Sequence, residues 1–179
     1  MAESDIKAIV EIYNYYVSET TVSFETEPLT VAEMRSRIKH ISAKHPCLVA
    51  VADNGAGQML GYCYAHEWKE RHAYCHTLEV TIYLDSEAKG CGVGSALMKR
   101  LIDECRQHGG CHALIACITA ENAESIAFHS KMGFEAVSHF HQVGCKFGRW
   151  LDVVDMELII PNRSFTGSVE KYWGRFFVS

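Results

Sequence analysis

The stretch Leu84-Asp85-Ser86-Glu87-Ala88-Lys89-Gly90-Cys91-Gly92-Val93-Gly94-Ser95 runs from a strand pattern into a helix pattern through a glycine-rich turn. Three closely spaced glycines let backbone approach an anion, and the amides of the first helical turn then face it with the positive end of the helix dipole behind them. The segment predicts an α/β fold with a phosphate cradle at the carboxyl end of a strand, of a size that suits a pyrophosphate. It is not a P-loop, which ends Gly-Lys-Ser/Thr, because this turn ends Gly94-Ser95-Ala96. Nor is it the dinucleotide fingerprint, which needs a glycine where Leu97 stands.

Hydrophobic spacing sets the elements around the cradle. Ile6, Ile9, Val10, Tyr13 and Val17 recur at helical intervals, predicting a helix over 4–17 with Ser4 as its N-cap. A polar loop over 20–30 leads to a second amphipathic helix over 31–43. Strands are expected over 47–52 and 58–66, joined by a turn at 53–57, and a further strand over 76–84. A helix over 93–108 closes at Gly109-Gly110; a strand over 113–118, a helix over 122–132 ending at Gly133, and strands over 134–143 and 150–160 follow. Residues 1–161 read as one domain. The tail, 162–179, is polar at first and then holds Tyr172, Trp173, Phe176 and Phe177, which are expected to cover an open sheet edge or the neighbouring core.

A net charge of -5 and a pI near 6.0 argue against nucleic acid or an anionic membrane as partner. No apolar run is long enough to span a bilayer, and Met1-Ala2-Glu3-Ser4-Asp5 lacks the marks of a signal peptide. The eight cysteines form no C-x-x-C pair and mostly sit inside apolar patterns, as reduced thiols of a cytoplasmic protein would. His72, Cys75 and His76 lie close together, but no second ligand pair accompanies them, so no metal is expected.

Alternation along 76–84 places Leu78, Val80, Ile82 and Leu84 on one face and Thr77, Glu79, Thr81 and Tyr83 on the other. Glu79 therefore stands among polar neighbours upstream of the cradle, where a partly buried carboxylate could take a proton from an incoming amine; a solvated strand-face Glu is the plain alternative. Asn122 is a sound N-cap, and His129 follows two turns later on the same helix, so both can face one groove.

Lys89-Gly90-Cys91-Gly92-Val93-Gly94 resembles the Arg/Gln-x-x-Gly-x-Gly/Ala signature of the GNAT acetyltransferases, with Lys in the first place. Asn122 to Phe134 resembles their Asn-x-x-Ser/Ala-x-x-x-Tyr-x-x-x-Gly-Phe pattern, with His129 where Tyr is usual. Glu11-Ile12-Tyr13-Asn14, the strand at 76–83 and Gly144-Cys145-Lys146-Phe147-Gly148-Arg149-Trp150-Leu151-Asp152 are similar to the phosphinothricin and methionine sulfoximine/sulfone branch.

The resemblance implies a mostly antiparallel, twisted mixed sheet flanked by helices. It implies acetyl-CoA as co-substrate without a metal, a small amino-acid-like amine as acceptor, and a homodimer. It makes Glu79 the general base and His129 or water the acid that protonates the thiolate. Val80 and Thr81 would line the acceptor; Ile82, Tyr83, Leu84 and Asn122 would meet the pantetheine arm; Lys89, Gly90, Cys91, Gly92, Val93, Gly94 and Ser95 would hold the pyrophosphate. Lys69 and Arg71 fall where that branch grips the acceptor's carboxylate, with Lys for Arg at the first place and Cys75 where another Arg is common. The family's usual first strand has almost no room before the first helix, so it is expected to be largely absent. An acetyltransferase for another amine (an aminoglycoside, a polyamine or a peptide N-terminus) and a non-catalytic acyl-CoA binding module are the competing readings.

Overall fold

A computed structural model describes residues 1–53, 57–107 and 110–160. A 3-10 turn at Glu3–Asp5 leads into α1 (Ile6–Glu19), whose Ile6, Ile9, Val10, Tyr13 and Val17 are all buried, as their spacing predicts. The start differs from expectation: Ser4 lies inside the 3-10 turn, and Asp5 occupies the N-cap of α1 with no side-chain bond into that helix, its carboxylate accepting from Ala2 N–H instead. The first turn of α1 is held by burial of Ile6 rather than by a polar cap. Thr30 and Glu33 begin α2 (Val31–Ser42) with a reciprocal capping box, Glu33 N–H donating to Thr30 Oγ1 and Thr30 N–H to Glu33 Oε2.

The strands are β1 (Cys47–Val51), β2 (Met59–Glu67), β3 (Thr77–Leu84), β4 (Ala113–Thr119), β5 (Glu135–Lys146) and β6 (Arg149–Ile159). With α3 (Val93–Gln107) and α4 (Ala123–Lys131) they complete the described chain. One six-stranded sheet has the order β1-β2-β3-β4-β6-β5, and only β3 and β4 are parallel. Among the described residues no strand precedes α1, so β1 is an edge.

β5 and β6 extend beyond the expected 134–143 and 150–160. Phe147 and Gly148 both take positive φ and close a two-residue turn whose twist suits the flanking strands, so pairing continues to Lys146 and Arg149. Residues 54–56 of the turn expected over 53–57, the closing Gly109 and the tail at 162–179 fall outside the described residues.

Helices cover both faces of the sheet. Leu97, Met98, Leu101 and Cys105 of α3 pack on Cys63, Ala65, Leu78, Val80, Leu114 and Met156. On the opposite face α1 and α2 bury Met59, Tyr62 and Tyr64 of β2, with Tyr83 against them. The alternation read from residues 77–84 is thus realised, and it sends Glu79, Thr81 and Tyr83 to the α1–α2 side.

Candidate active site

The site begins where the sheet opens. β3 and β4 pair only over Thr77↔Ala113, Leu78↔Leu114 and Glu79↔Ile115, although β3 continues to Leu84 and β4 to Thr119. Beyond Glu79 the strands diverge, and the backbone of residues 80–84 faces a cleft in place of its parallel neighbour. Polar backbone left without a ladder partner is a binding edge for any ligand carrying amides.

On the α1–α2 side the cleft holds a cavity of about 500 Å3, lined among others by Glu79, Thr81, Tyr83, Cys117, Thr119 and His129. Val22, Ile82, Tyr83, Asn122 and Ser125 also border a second groove, of about 380 Å3, that runs on to Lys89, Gly90, Gly92, Gly94 and Ser95. The two form one path from Glu79 to the glycine loop.

The loop is built for an anion. Gly90 (φ +76) and Gly92 (φ +84) take the left-handed conformation that disfavours side chains, and open space surrounds the place of each missing Cβ. Ala96 N–H is the first of α3 to bond back, to Gly92, which leaves the amides of Val93, Gly94 and Ser95 at the helix N-terminus. Gly94 serves packing instead: a Cβ there would stand 3.1 Å from Leu84 Cδ1 and 3.6 Å from Phe128. Lys89 lines the groove beside the Tyr16 ring, and Lys131 adds a second cation from the end of α4. Cys91 is exposed and neither it nor Val93 is among the groove's lining side chains.

Glu79 is 28% exposed at its side chain, and His66 Nε2 lies 3.9 Å from its Oε1, the two residues facing each other across the β2–β3 ladder. Burial pushes the carboxyl above the ordinary carboxylate range; His66 opposes the shift and Asp155 adds to it. A carboxylate raised by burial at the mouth of a cleft has the character of a general base.

The profile of the acetyltransferase (GNAT) domain matches residues 1–154. The chain belongs to the GNAT acetyltransferases. Membership makes it an N-acetyltransferase that draws its acetyl group from acetyl-CoA. It is 40% identical over 157 residues to phosphinothricin N-acetyltransferase of Alcaligenes faecalis, covering 87% of this chain and 78% of that protein. It is 35% identical over 162 residues to an L-methionine sulfoximine/L-methionine sulfone acetyltransferase of Pseudomonas paraeruginosa, covering 90% and 93%. A crystal structure of a phosphinothricin acetyltransferase from Sinorhizobium meliloti in complex with AcCoA superposes with a TM-score of 0.85 at 35% identity, over 89% of this chain and 85% of that one.

In this GNAT chain Asn122 caps α4, its Oδ1 accepting from Ser125 N–H at 3.1 Å, and borders both cavities, so the capping bond leaves it a place on the cleft wall. His129 is 3% exposed and wedged edge-on between Phe128 and Phe134. Its Nδ1 sits 2.8 Å from the Ser125 carbonyl, which fixes the neutral tautomer as Nδ1–H. Burial holds the imidazole pKa below its usual value despite that bond. At neutral pH the ring is therefore uncharged and has no spare proton on Nε2.

The acceptor-side cations are not gathered around Glu79. Lys69 places Nζ over the Trp68 ring at 3.8 Å and lines a neighbouring cavity that shares Tyr64 and His66 with the catalytic one. Arg71 and Cys75 are exposed and border neither.

Several participants escaped sequence reasoning. His66 stands one residue before the end of β2 and meets Glu79 only through strand register. Ser23, Phe24 and Glu25 roof the cavity from the 20–30 loop. That loop is pinned where Thr119 Oγ1 donates to Thr21 O, Lys146 Nζ donates to Ser23 O at 2.6 Å and Arg37 pairs with Glu25. Lys146 is buried, and that burial lowers its pKa. The glycine preceding it by two is required: a Cβ on Gly144 would fall 2.0 Å from the Phe24 ring.

Proposed function

We propose that the chain acetylates the α-amine of a small amino-acid-like compound of the phosphinothricin, methionine sulfone or methionine sulfoximine type, by direct transfer in a ternary complex. The observation that carries the reading is the half-buried Glu79 at the start of the β3–β4 opening, on one path with the glycine loop. The named activities of the Alcaligenes and Pseudomonas relatives support the acceptor class.

Acetyl-CoA supplies an activated acyl carbon and a thiolate leaving group. Lys89, Lys131 and the α3 amides hold its pyrophosphate, with Gly90 and Gly92 providing room for close approach. Backbone of Ile82, Tyr83 and Leu84 pairs with the amide-bearing arm, and Asn122 meets it from α4. Glu79, directly or through water, takes one proton from the acceptor's ammonium, and the freed amine lone pair attacks the thioester carbonyl. Backbone N–H groups exposed by the strand divergence face the developing oxyanion. As the C–S bond breaks, the attacking nitrogen, positively charged since bond formation, releases its surplus proton to water and the thiolate takes one back from water, leaving neutral amide and free thiol; the neutral His129 has no proton to give on Nε2 and orders the wall of the cleft.

Residues 1–161 constitute the catalytic domain in this reading. A homodimer is proposed from the apolar surface of the β5–β6 hairpin, where Phe147 and Trp150 are 58% and 66% exposed beside Val137, Phe140 and Val143. Cytoplasmic residence is proposed from eight cysteines that are all free. Among the described residues no helix is long and apolar enough to cross a membrane.

The test is a panel of amines with acetyl-CoA and a thiol-detecting readout. Methionine sulfone, methionine sulfoximine and phosphinothricin are expected to turn over with kcat/KM at least tenfold above their decarboxylated amines, and Lys69→Ala, in the cavity adjoining that of Glu79, to reduce that preference. Faster turnover of polyamines, aminoglycosides or peptide N-termini would overturn the acceptor assignment, and absence of turnover on every amine would overturn catalysis.

A further inference from the structure

Sequence spacing directs attention to His72, Cys75 and His76 as metal ligands, but the group of side chains that converges lies elsewhere. On the β5–β6 hairpin, His139 Nε2 stands 3.1 Å and His141 Nδ1 3.0 Å from the same oxygen, Oδ2 of Asp152. The three ligand atoms all lie within 4.8 Å of one another. Donor atoms that share one ion at about 2.1 Å stand roughly 3.0–3.5 Å apart, so this triangle needs only small side-chain rotations to accept a cation at its centre.

We propose that His139, His141 and Asp152 form a divalent transition-metal site, separate from the acetyl-transfer centre, of the class that takes Zn2+, Co2+ or Ni2+. Two imidazoles and one carboxylate suit these borderline ions and offer too few oxygens for Mg2+ or Ca2+. Residues two apart on a strand share a face, and the His139 and His141 rings lie side by side with centroids 4.6 Å apart.

A local distortion aims the carboxylate at them. The β5–β6 register shifts between Phe140 and Gly144, Gln142 takes φ +54, and its N–H donates to Asp152 Oδ1 at 2.9 Å. One carboxylate oxygen is thereby anchored and the other is turned toward both rings. The rings are half-exposed or more, leaving further coordination positions open to water. Val153 lines the catalytic cavity, and its neighbour Asp152 projects from the opposite face of β6, which separates the two sites by the thickness of the sheet. A bound ion ties β5 to β6 across the bulge and stabilises the hairpin.

Co2+ titration of the full chain tests this without reference to activity. Visible d–d bands saturating at one ion per chain are expected, without the intense near-ultraviolet charge-transfer band of thiolate ligation, and Zn2+ should displace them and raise the Tm. His139→Ala with His141→Ala should weaken Co2+ binding by at least tenfold, and so should Asp152→Asn, which retains an oxygen for Gln142 N–H. Acetyl transfer by the two-histidine variant should match the parent protein with and without chelator. The proposal is overturned if no d–d bands develop, if a thiolate band accompanies them, or if the variants bind Co2+ as the parent does.

Discussion

Replacing Glu79 by Gln separates the chemistry of the carboxylate from its shape. The structure sets the expected size of the effect. Glu79 is mostly buried, His66 Nε2 lies 3.9 Å from its Oε1, and burial raises the Glu79 pKa, so the native protein holds a proton acceptor that water solvates poorly. A positioned general base contributes about 10²- to 10⁴-fold, or roughly 3–5 kcal/mol of barrier, and Gln supplies none of it. kcat/KM for the parent should climb as pH rises through the elevated Glu79 pKa, and Glu79→Gln should lose that limb while binding acetyl-CoA as before.

Stability should move the other way. Because the folded pKa lies above the unfolded one, ionisation of Glu79 favours the unfolded chain as pH rises past the unfolded pKa, and the cost becomes constant above the folded pKa. Glu79→Gln should therefore match the parent's Tm at pH near 4 and exceed it at pH 8. Steady-state kinetics with thiol detection and calorimetry at the two pH values check both halves. A variant that keeps the parental rate at pH 8 would remove Glu79 from proton transfer, and a variant less stable at pH 8 would refute the desolvation argument.

Two further outcomes follow from the same geometry. Cys91, exposed in the glycine loop, should be alkylated readily and protected by coenzyme A, whereas Cys117 should react slowly although partly accessible, because burial foremost, and then Glu79 and Asp155, push its thiol up to about 12; peptide mass spectrometry with and without coenzyme A would show it. Gly144→Ala drives a Cβ into Phe24 and should cost about 1–3 kcal/mol, lowering Tm by roughly 2–12 °C, and the loss should largely vanish in a Phe24→Ala background; equal loss in both would refute the contact.

What could be read from the sequence was local. Helical spacing located α1 through α4, alternation put Glu79 on the correct face of β3, and the glycines marked the loop that takes positive φ. His66 was invisible because its role depends on antiparallel register, which places it opposite Glu79 from thirteen residues upstream. Lys146 and Ser23 meet across more than a hundred residues, and no pattern in either neighbourhood announces the bond. His139 and His141 share a strand with ordinary spacing, and only the bulge at Gln142 and the return of β6 bring Asp152 to them. The start of α1 was misplaced because Ser4 has the chemistry of a cap, while packing of Ile6 decided where the helix begins.

The walls of the catalytic path come from different parts of the chain. The donor end is made by β3, the glycine loop and the ends of α3 and α4, elements tied into the core, so changes there disturb folding. The proposed acceptor end is bounded by the 20–30 loop and, in the adjoining cavity, by residues 68–70 beyond the end of β2, which are surface connections. Loops tolerate replacement and insertion far better than the elements they join. A lineage descending from such an ancestor can therefore exchange one amine for another by drift in two loops while its donor machinery stays fixed, which makes the acceptor the trait expected to diverge first among close relatives.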